Sequence, residues 1–309
     1  MNKIKNINWK SKPLNYVIMA IMVFSWGYEY ILAKHVLVYT QPITLVFFKY
    51  GTAFLTLLIV KLIVDRKNPI RKNHIYLYLL CSIFGEILYF AFEYTAMDYL
   101  PVSIITIVLT FVPALAIVIE WFLYKRKPTV GMVIGIAVCI VGVCLVVGPD
   151  ATDIIAGSGI GYMLAFFAVI SWNIYNFITE RLCDTYSVFD LTLIQIGASA
   201  LVSFPYAVFN MPPLAEINGY FIFTVLYLGG FASVVGFLIY VNALGAIGVT
   251  PVSLFSNMLP VTTTFFGYFL LKEMIGLVQI IGGVIVISAG AAVIYLKGKQ
   301  LNKEKLDAK

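Results

Sequence analysis

The sequence predicts an all-α polytopic membrane protein with ten transmembrane helices arranged as two inverted five-helix repeats. Three observations predict it. Hydrophobic residues make up 61 % of the chain and charged residues only 12 %, about half the charged share of a soluble domain. The apolar residues run unbroken for long stretches, whereas barrel strands would alternate over about ten residues. The second half of the chain repeats the first at an almost constant offset.

A span needs roughly 20 apolar residues to cross a hydrocarbon core of about 30 Å. The first run is 14–34. Lys3, Lys5, Lys10 and Lys12 precede it like the start of a signal peptide, but the run is long and no small-residue cleavage site follows. A retained span is expected. Spans two and three, 42–64 and 75–97, flank the connection "DRKNPIRKN" at 65–73. Span four is 101–122, and span five, 128–148, follows "KRKP". "GPDATD" at 148–153 leads into 158–180 and 189–209, and "NMPPLAEIN" at 210–218 into 218–241. Spans nine and ten are 249–271 and 275–296.

The net charge of +6 points to membrane topology rather than to nucleic acid, because the basic residues lie in short loops and at the ends. With the N-terminus inside, eighteen Lys and Arg fall in inside segments and two, Lys34 and Lys272, outside. Both termini are therefore expected in the cytoplasm, with basic tails 1–13 and 297–309, and the protein in the cytoplasmic membrane. The four cysteines show no framework spacing.

An offset of 146 lays "SWGYEYILAK" (25–34) on "SWNIYNFITE" (171–180), Lys49 on Gln195 and Gly51 on Gly197. With one more residue, Ser103, Thr106, Thr110 and Pro113 fall on Thr250, Ser253, Asn257 and Pro260, and Gly135 on Gly282. The two copies are 14–148 and 158–296. Five spans per copy put the second copy into the bilayer upside down, a construction common in secondary transporters.

On these residues the chain resembles the EamA branch of the drug/metabolite transporter superfamily, which are ten-span permeases. The resemblance covers about 14–296. It is carried by "SWG" and Lys34 in span one, "FFKYGTA" (47–53), Pro113 and Pro260, and "LLKEMIGLVQIIGG" (270–283). The family often has Arg where Lys49 stands, and a small or amide residue at Glu29. At the first-half junction "LYKRKPTVGMVIG", Arg126 replaces the usual Glu. The resemblance implies transport of a small molecule and names none.

Charges inside spans are costly and mark cavities or partners. Here they are Glu29, Lys49, Glu86, Glu93 and, near the inner edge, Glu120. Their second-half equivalents are Tyr175, Gln195, Ser233, Tyr240 and Gly267, so the framework repeats and the charge does not. Glu29 and Lys49 lie at similar depth, about 7.5 and 10 Å below the outer end at 1.5 Å per residue, and Glu93 is also near that end. Glu86 and Glu93, seven residues apart, share a face of a regular helix. Glu29–Lys49 suits either a structural ion pair or a functional one. Glu86 and Glu93 then lack a basic partner, and each must keep a proton or hold a cation. Glu120 is expected to reach the interface near Lys125, Arg126 and Lys127.

The polar stripe of spans four and nine, including Thr106, Thr110 and Asn257, lies on one helix face. Pro113 and Pro260 are expected to kink those spans. The stripe suits cavity lining, or hydroxyls that bind helices together. Other candidates for the lining are Trp26, Tyr30 and Tyr94 from the first half and Trp172, Tyr175, Asn176 and Tyr240 from the second, whose rings can attract an ammonium. The glycine spacings at 131–142 and 276–283 allow close packing within the bundle, or a dimer.

The only histidines, His35 and His74, stand at loop ends, and no phosphate-binding glycine loop is present. No enzyme activity, metal, cofactor or ATP drive is expected. The expected function is export of an amino acid or amine by alternating access, coupled to protons, with the lipid bilayer and a small-molecule substrate as partners, in a monomer or homodimer. Alternatives are a non-transporting scaffold, in which the charges serve assembly, and a passive facilitator.

Overall fold

In the computed structural model the described residues are helical, and no strand occurs among them. The structure describes residues 11–64, 75–100, 102–147, 158–271 and 276–307. Outside that description lie the N-terminal lysines up to Lys10, the connections 65–73 and 148–153, Lys272, Glu273, and the side chains of Ser103 and Thr106.

Ten helical rods follow in the expected order. They begin with α1 (Lys12–Val36) and α2 (Pro42–Val64). Helix α3 runs as α-helix Ile75–Cys81, π-helix Ser82–Leu88 and α-helix Tyr89–Ala96. Helix α4 has two segments, Val102–Leu109 and Val112–Tyr124, and α5 is Val130–Val147. Helices α6 (Gly159–Leu182) and α7 (Val188–Phe209) come next. Helix α8 is Gly219–Val225, π-helix Leu226–Ser233 and Val234–Ile247. Helix α9 is again in two segments, Val249–Ser256 and Leu259–Leu271, and α10 is Leu277–Asp307. Among the described residues, eight helices are long and apolar enough to cross a membrane, and Val130–Val146 is a shorter apolar helix.

Local chemistry explains several ends. The Ser187 hydroxyl accepts from the Asp190 amide and opens α7, and the Asn218 side chain accepts from the Tyr220 and Phe221 amides and opens α8. Both satisfy donors that a helix start leaves free. Gly248, with φ of +87°, closes α8. The interruption of α4 falls at Thr110–Phe111 and that of α9 at Asn257–Met258, with Pro113 and Pro260 in the first turn of each second segment. A proline there gives no N–H to the carbonyl four residues back, so the helix cannot run straight through.

One boundary differs from expectation. Residues 297–307 continue α10 rather than forming a separate tail, and Lys297 is buried. Lys, Gln, Leu and Glu are good helix formers, so a rise in polarity at Lys297 ended the apolar run without ending the helix.

The described residues form two compact units, Met1–Phe90 with Ile174–Gly248, and Ala91–Asn173 with Val249–Lys309. Each draws on both sequence halves. In the first, α2 packs on α7, α1 on α8, and the π segment of α3 on α7. In the second, α5 packs on α10, the first segment of α9 on the second of α4, and the second of α9 on the first of α4. Ile117, Met132, Ile136, Leu254 and Val293 form a core there. The outward faces stay apolar: on α1, Val17, Ile21 and Phe24 are exposed while Met19, Met22 and Val23 are buried. So much exposed apolar surface suits lipid and not water.

Glycines bring α5 and α10 together. A Cβ on Gly282 would lie 2.7 Å from the Gly142 carbonyl oxygen, and one on Gly135 would lie 2.4 Å from Val293 Cγ2. The small-residue spacing is thus used within the chain.

Candidate functional site

Glu29 of α1 and Lys49 of α2 form a buried ion pair. Each charge would be expensive alone in this setting, and the contact offsets much of that cost. The Lys49 ammonium also lies 3.8 Å from the centroid of the Phe90 ring and 5.2 Å from that of Tyr50, so ring faces take part of its charge.

Glu86 stands in the π segment of α3 with 0 % of its surface exposed. Its Oε2 faces the Ser199 hydroxyl of α7 at 3.5 Å, and its Oε1 has no hydrogen-bond partner among the described residues. Lys49 is within electrostatic reach. A side chain at Gly85 would run into the Tyr175 ring, 2.3 Å away, so the glycine lets α6 press against the π segment. A hydroxyl and amide network surrounds the carboxyl. Ser82 donates to the carbonyls of Tyr78 and Gln195, the Gln195 amide to Thr179, and Cys81 and Thr179 are in contact. The Oε1 of Gln195 finds no hydrogen-bond partner among the described residues.

An aromatic wall stands in the same unit. Trp26 meets Tyr240 edge-on at 5.6 Å, and Tyr240 stacks near Tyr175 at 6.4 Å. The Trp26 indole donates to the Ala232 carbonyl at 3.3 Å, close to Gly236, which leaves it room. Tyr240 donates to Asn176 Oδ1 at 2.8 Å, while Asn176 Nδ2 and the Ser233 hydroxyl have no partner among the described residues. Tyr30 is half-buried on α1.

The other candidates fall in the second unit. Glu93, Tyr94 and Trp172 are buried there. The π segment between Glu86 and Glu93 changes the 3.6-residue register on which their shared face was expected. Thr110 turns its hydroxyl back to the Ile107 carbonyl at 2.6 Å, at the break in α4. Asn257, at the break in α9, is fully buried beside Cys139. Thr106 lies outside the described side chains. Glu120 corrects an expectation: it is buried, ion-paired with Lys297 and bonded by Thr250 at 2.8 Å, rather than reaching the interface beside Lys125. Helix α10 carries Lys297 inward, which gives Glu120 a partner closer than the loop lysines. No group of three His, Cys, Asp or Glu that could hold a metal occurs among the described residues.

A family model for the EamA-like transporter family matches twice, at residues 14–148 and 159–296. The chain belongs to the EamA-like transporter family. Relatives of this EamA chain include the uncharacterized transporter YyaM of Bacillus subtilis (strain 168), 26 % identical over 89 % of this chain and 92 % of that protein. YvbV of the same organism is 23 % identical over 93 % of each chain, and an uncharacterized transporter of Archaeoglobus fulgidus is 22 % identical over 88 % of this chain and 95 % of its own. A crystal structure described only as that of a protein shares the fold, with TM-score 0.74 at 15 % identity over 92 % of this chain and 98 % of the other. The molecule is therefore a multi-pass membrane transporter that handles a small molecule within the bilayer.

In this EamA chain the structure brings Glu29, Lys49 and Glu86 into one unit with Trp26, Tyr175, Asn176 and Tyr240. Sequence reasoning overlooked Ser199, Thr179, Ser82 and Phe90 as neighbours of these charges. Gln195 and Ser233 had a signal, since the repeat offset lays them on Lys49 and Glu86.

Proposed function

We propose that this EamA-like protein is a secondary active transporter that exports an amino acid or amine across the cytoplasmic membrane in exchange for protons, with Glu86 as the coupling carboxyl. The observation that carries the reading is Glu86 itself, fully buried, with one oxygen unpartnered among the described residues and the other 3.5 Å from a serine hydroxyl. A carboxyl kept so inside a span is there to bind a proton or a cation. The adjoining Trp26, Tyr175 and Tyr240 rings favour a substrate with an ammonium group.

Alternating access of two inverted repeats, 14–148 and 158–296, is part of this reading. Features recurring at the repeat offset support it: π segments in α3 and α8, and breaks at 110–111 and 257–258. One contact also recurs. Ser82 touches the Gln195 carbonyl, and Gly229 packs on the carbonyl of Lys49, each residue being the other's equivalent. Discontinuous helices at matching places suit hinges around a midplane site. The basic inside loops support cytoplasmic termini, and the use of glycines between α5 and α10 supports a monomer.

The test is transport in proteoliposomes under an imposed pH gradient, with amino acids and amines as substrates. Glu86→Gln is expected to abolish proton-driven export. Unchanged pH dependence in that variant would remove Glu86 from coupling, and competition by anions alone would overturn the cationic substrate.

A further inference from the structure

Two carboxylates and one ammonium share the interior of the first unit. Lys49 is in contact with Glu29, and its ammonium rests on the Phe90 ring at 3.8 Å. Phe90 stands four residues after Glu86 on the same helix, about one turn away. The ammonium thus has one carboxylate in hand, and a second, Glu86, lies within its electrostatic reach. A lysine suits such a place, as a compact charge on a flexible stem that can change partner. The aromatic face gives it a surface to cross.

We propose that Lys49 is a counter-charge shared between Glu29 and Glu86, so that the cluster accepts one further positive charge, a proton or a monovalent substrate ammonium, and never both. The inference rests on the coupling role read for Glu86. With both carboxylates ionised and Lys49 protonated, the cluster is one positive charge short. An unbalanced charge inside a span is costly, and a second added cation would unbalance it again.

The present arrangement fits the protonated state. Lys49 sits on Glu29, and Glu86 faces a serine hydroxyl. When Glu86 opens to water, its O–H bond breaks and the proton leaves to a water molecule. Lys49, keeping all its N–H bonds, moves to the new carboxylate, and Glu29 is left open to bind the substrate ammonium. On substrate release the lysine returns to Glu29 and Glu86 takes a proton from water. One proton is exchanged for one monovalent cation, so the exchange moves no net charge. The other titratable groups near the cluster include Tyr50 of α2, Tyr175 of α6, Cys183 just after α6, Cys81 of α3 and Tyr227 of α8. At their usual values these are neutral near pH 7 and leave the count unchanged. Helix α7 brings Ser199 to Glu86, with Gln195 one turn before it, and neither titrates.

Infrared difference spectra of the purified protein test the proposal without a substrate, because a protonated buried carboxyl has its own C=O stretching band. At neutral pH the wild type should show a band that Glu86→Gln removes. Glu29→Gln frees Lys49 for Glu86 and should lose the same band with Glu86 still present. Adding Lys49→Met to Glu29→Gln leaves one carboxyl and no ammonium, and the band should return. Lys49→Met alone leaves two carboxyls and should about double it. A band that persists in Glu29→Gln, or does not return in the double variant, overturns the shared counter-charge while leaving the transport test of Glu86 intact. If Glu29→Gln does not fold, Lys49→Met decides, and an undoubled band overturns the proposal.

Discussion

Replacing Gly282 by alanine tests how α5 and α10 are held. A new Cβ would stand 2.7 Å from the Gly142 carbonyl oxygen, 2.7 Å from the Val146 amide nitrogen and 2.8 Å from Leu145 Cβ. Ordinary contact begins at 3.4 Å, so α5 must withdraw by about 0.7 Å, the difference between those distances. Two of the three atoms are backbone and cannot swing aside. A gap of roughly 0.5–1 Å forfeits a quarter to a half of the attraction between each facing pair of atoms. Overpacking costs about 1–3 kcal/mol, and alanine returns about 1 kcal/mol of helix propensity. The expected net loss is therefore up to about 2 kcal/mol. Gly283 is the control, since a Cβ there meets Val261 at 3.6 and 3.9 Å. Gly283→Ala should be neutral or more stable by up to about 1 kcal/mol. Equilibrium unfolding in mixed micelles, titrated with dodecyl sulfate, measures both. Equal stability of the two variants, or a gain in Gly282→Ala, would refute the close-approach argument.

Three further outcomes are expected. Lys297→Met leaves Glu120 buried with Thr250 alone and should cost about 3–5 kcal/mol in the same assay, most of it recovered when Glu120→Gln is added. Tyr240→Phe removes the donor to Asn176 Oδ1, and the orphaned acceptor should cost about 1–3 kcal/mol. Pro260→Ala supplies an N–H for the Ser256 carbonyl and closes the break in α9. Amide exchange around residues 254–258 should slow, and turnover in proteoliposomes should fall several-fold with the protein still folded.

Much of the architecture was legible because it rests on simple lengths. Runs of about 20 apolar residues mark the rods, and two prolines at the repeat offset coincide with the two interruptions. Similar depth below the outer end was enough to suggest pairing Glu29 with Lys49. The π segments were not legible, because an i→i+5 turn leaves no mark on a pattern that is apolar on every side. They change the register between Glu86 and Glu93, which spacing alone put on one face. The partner of Glu120 was hidden for a different reason. Hydropathy ends a span at its first lysine, but a lysine on a continuing helix can turn inward. Ser199 and Thr179 were silent because a hydroxyl in a span most often bonds its own helix, as Ser199 also does to the Gln195 carbonyl at 2.9 Å.

The unequal charge of the two halves has a consequence for direction. In a carrier made of two identical inverted copies, turning the molecule over would exchange its inward-open and outward-open forms. The two forms would then have equal energy and equal affinity for substrate. Here breaks and π segments recur at matching places, while Glu29, Lys49 and Glu86 face Tyr175, Gln195 and Ser233 across that exchange. Those three substitutions lift the degeneracy. Under the alternating access proposed above, the same backbone motion would lead to two states of unlike affinity, and each side of the membrane would meet a different binding site.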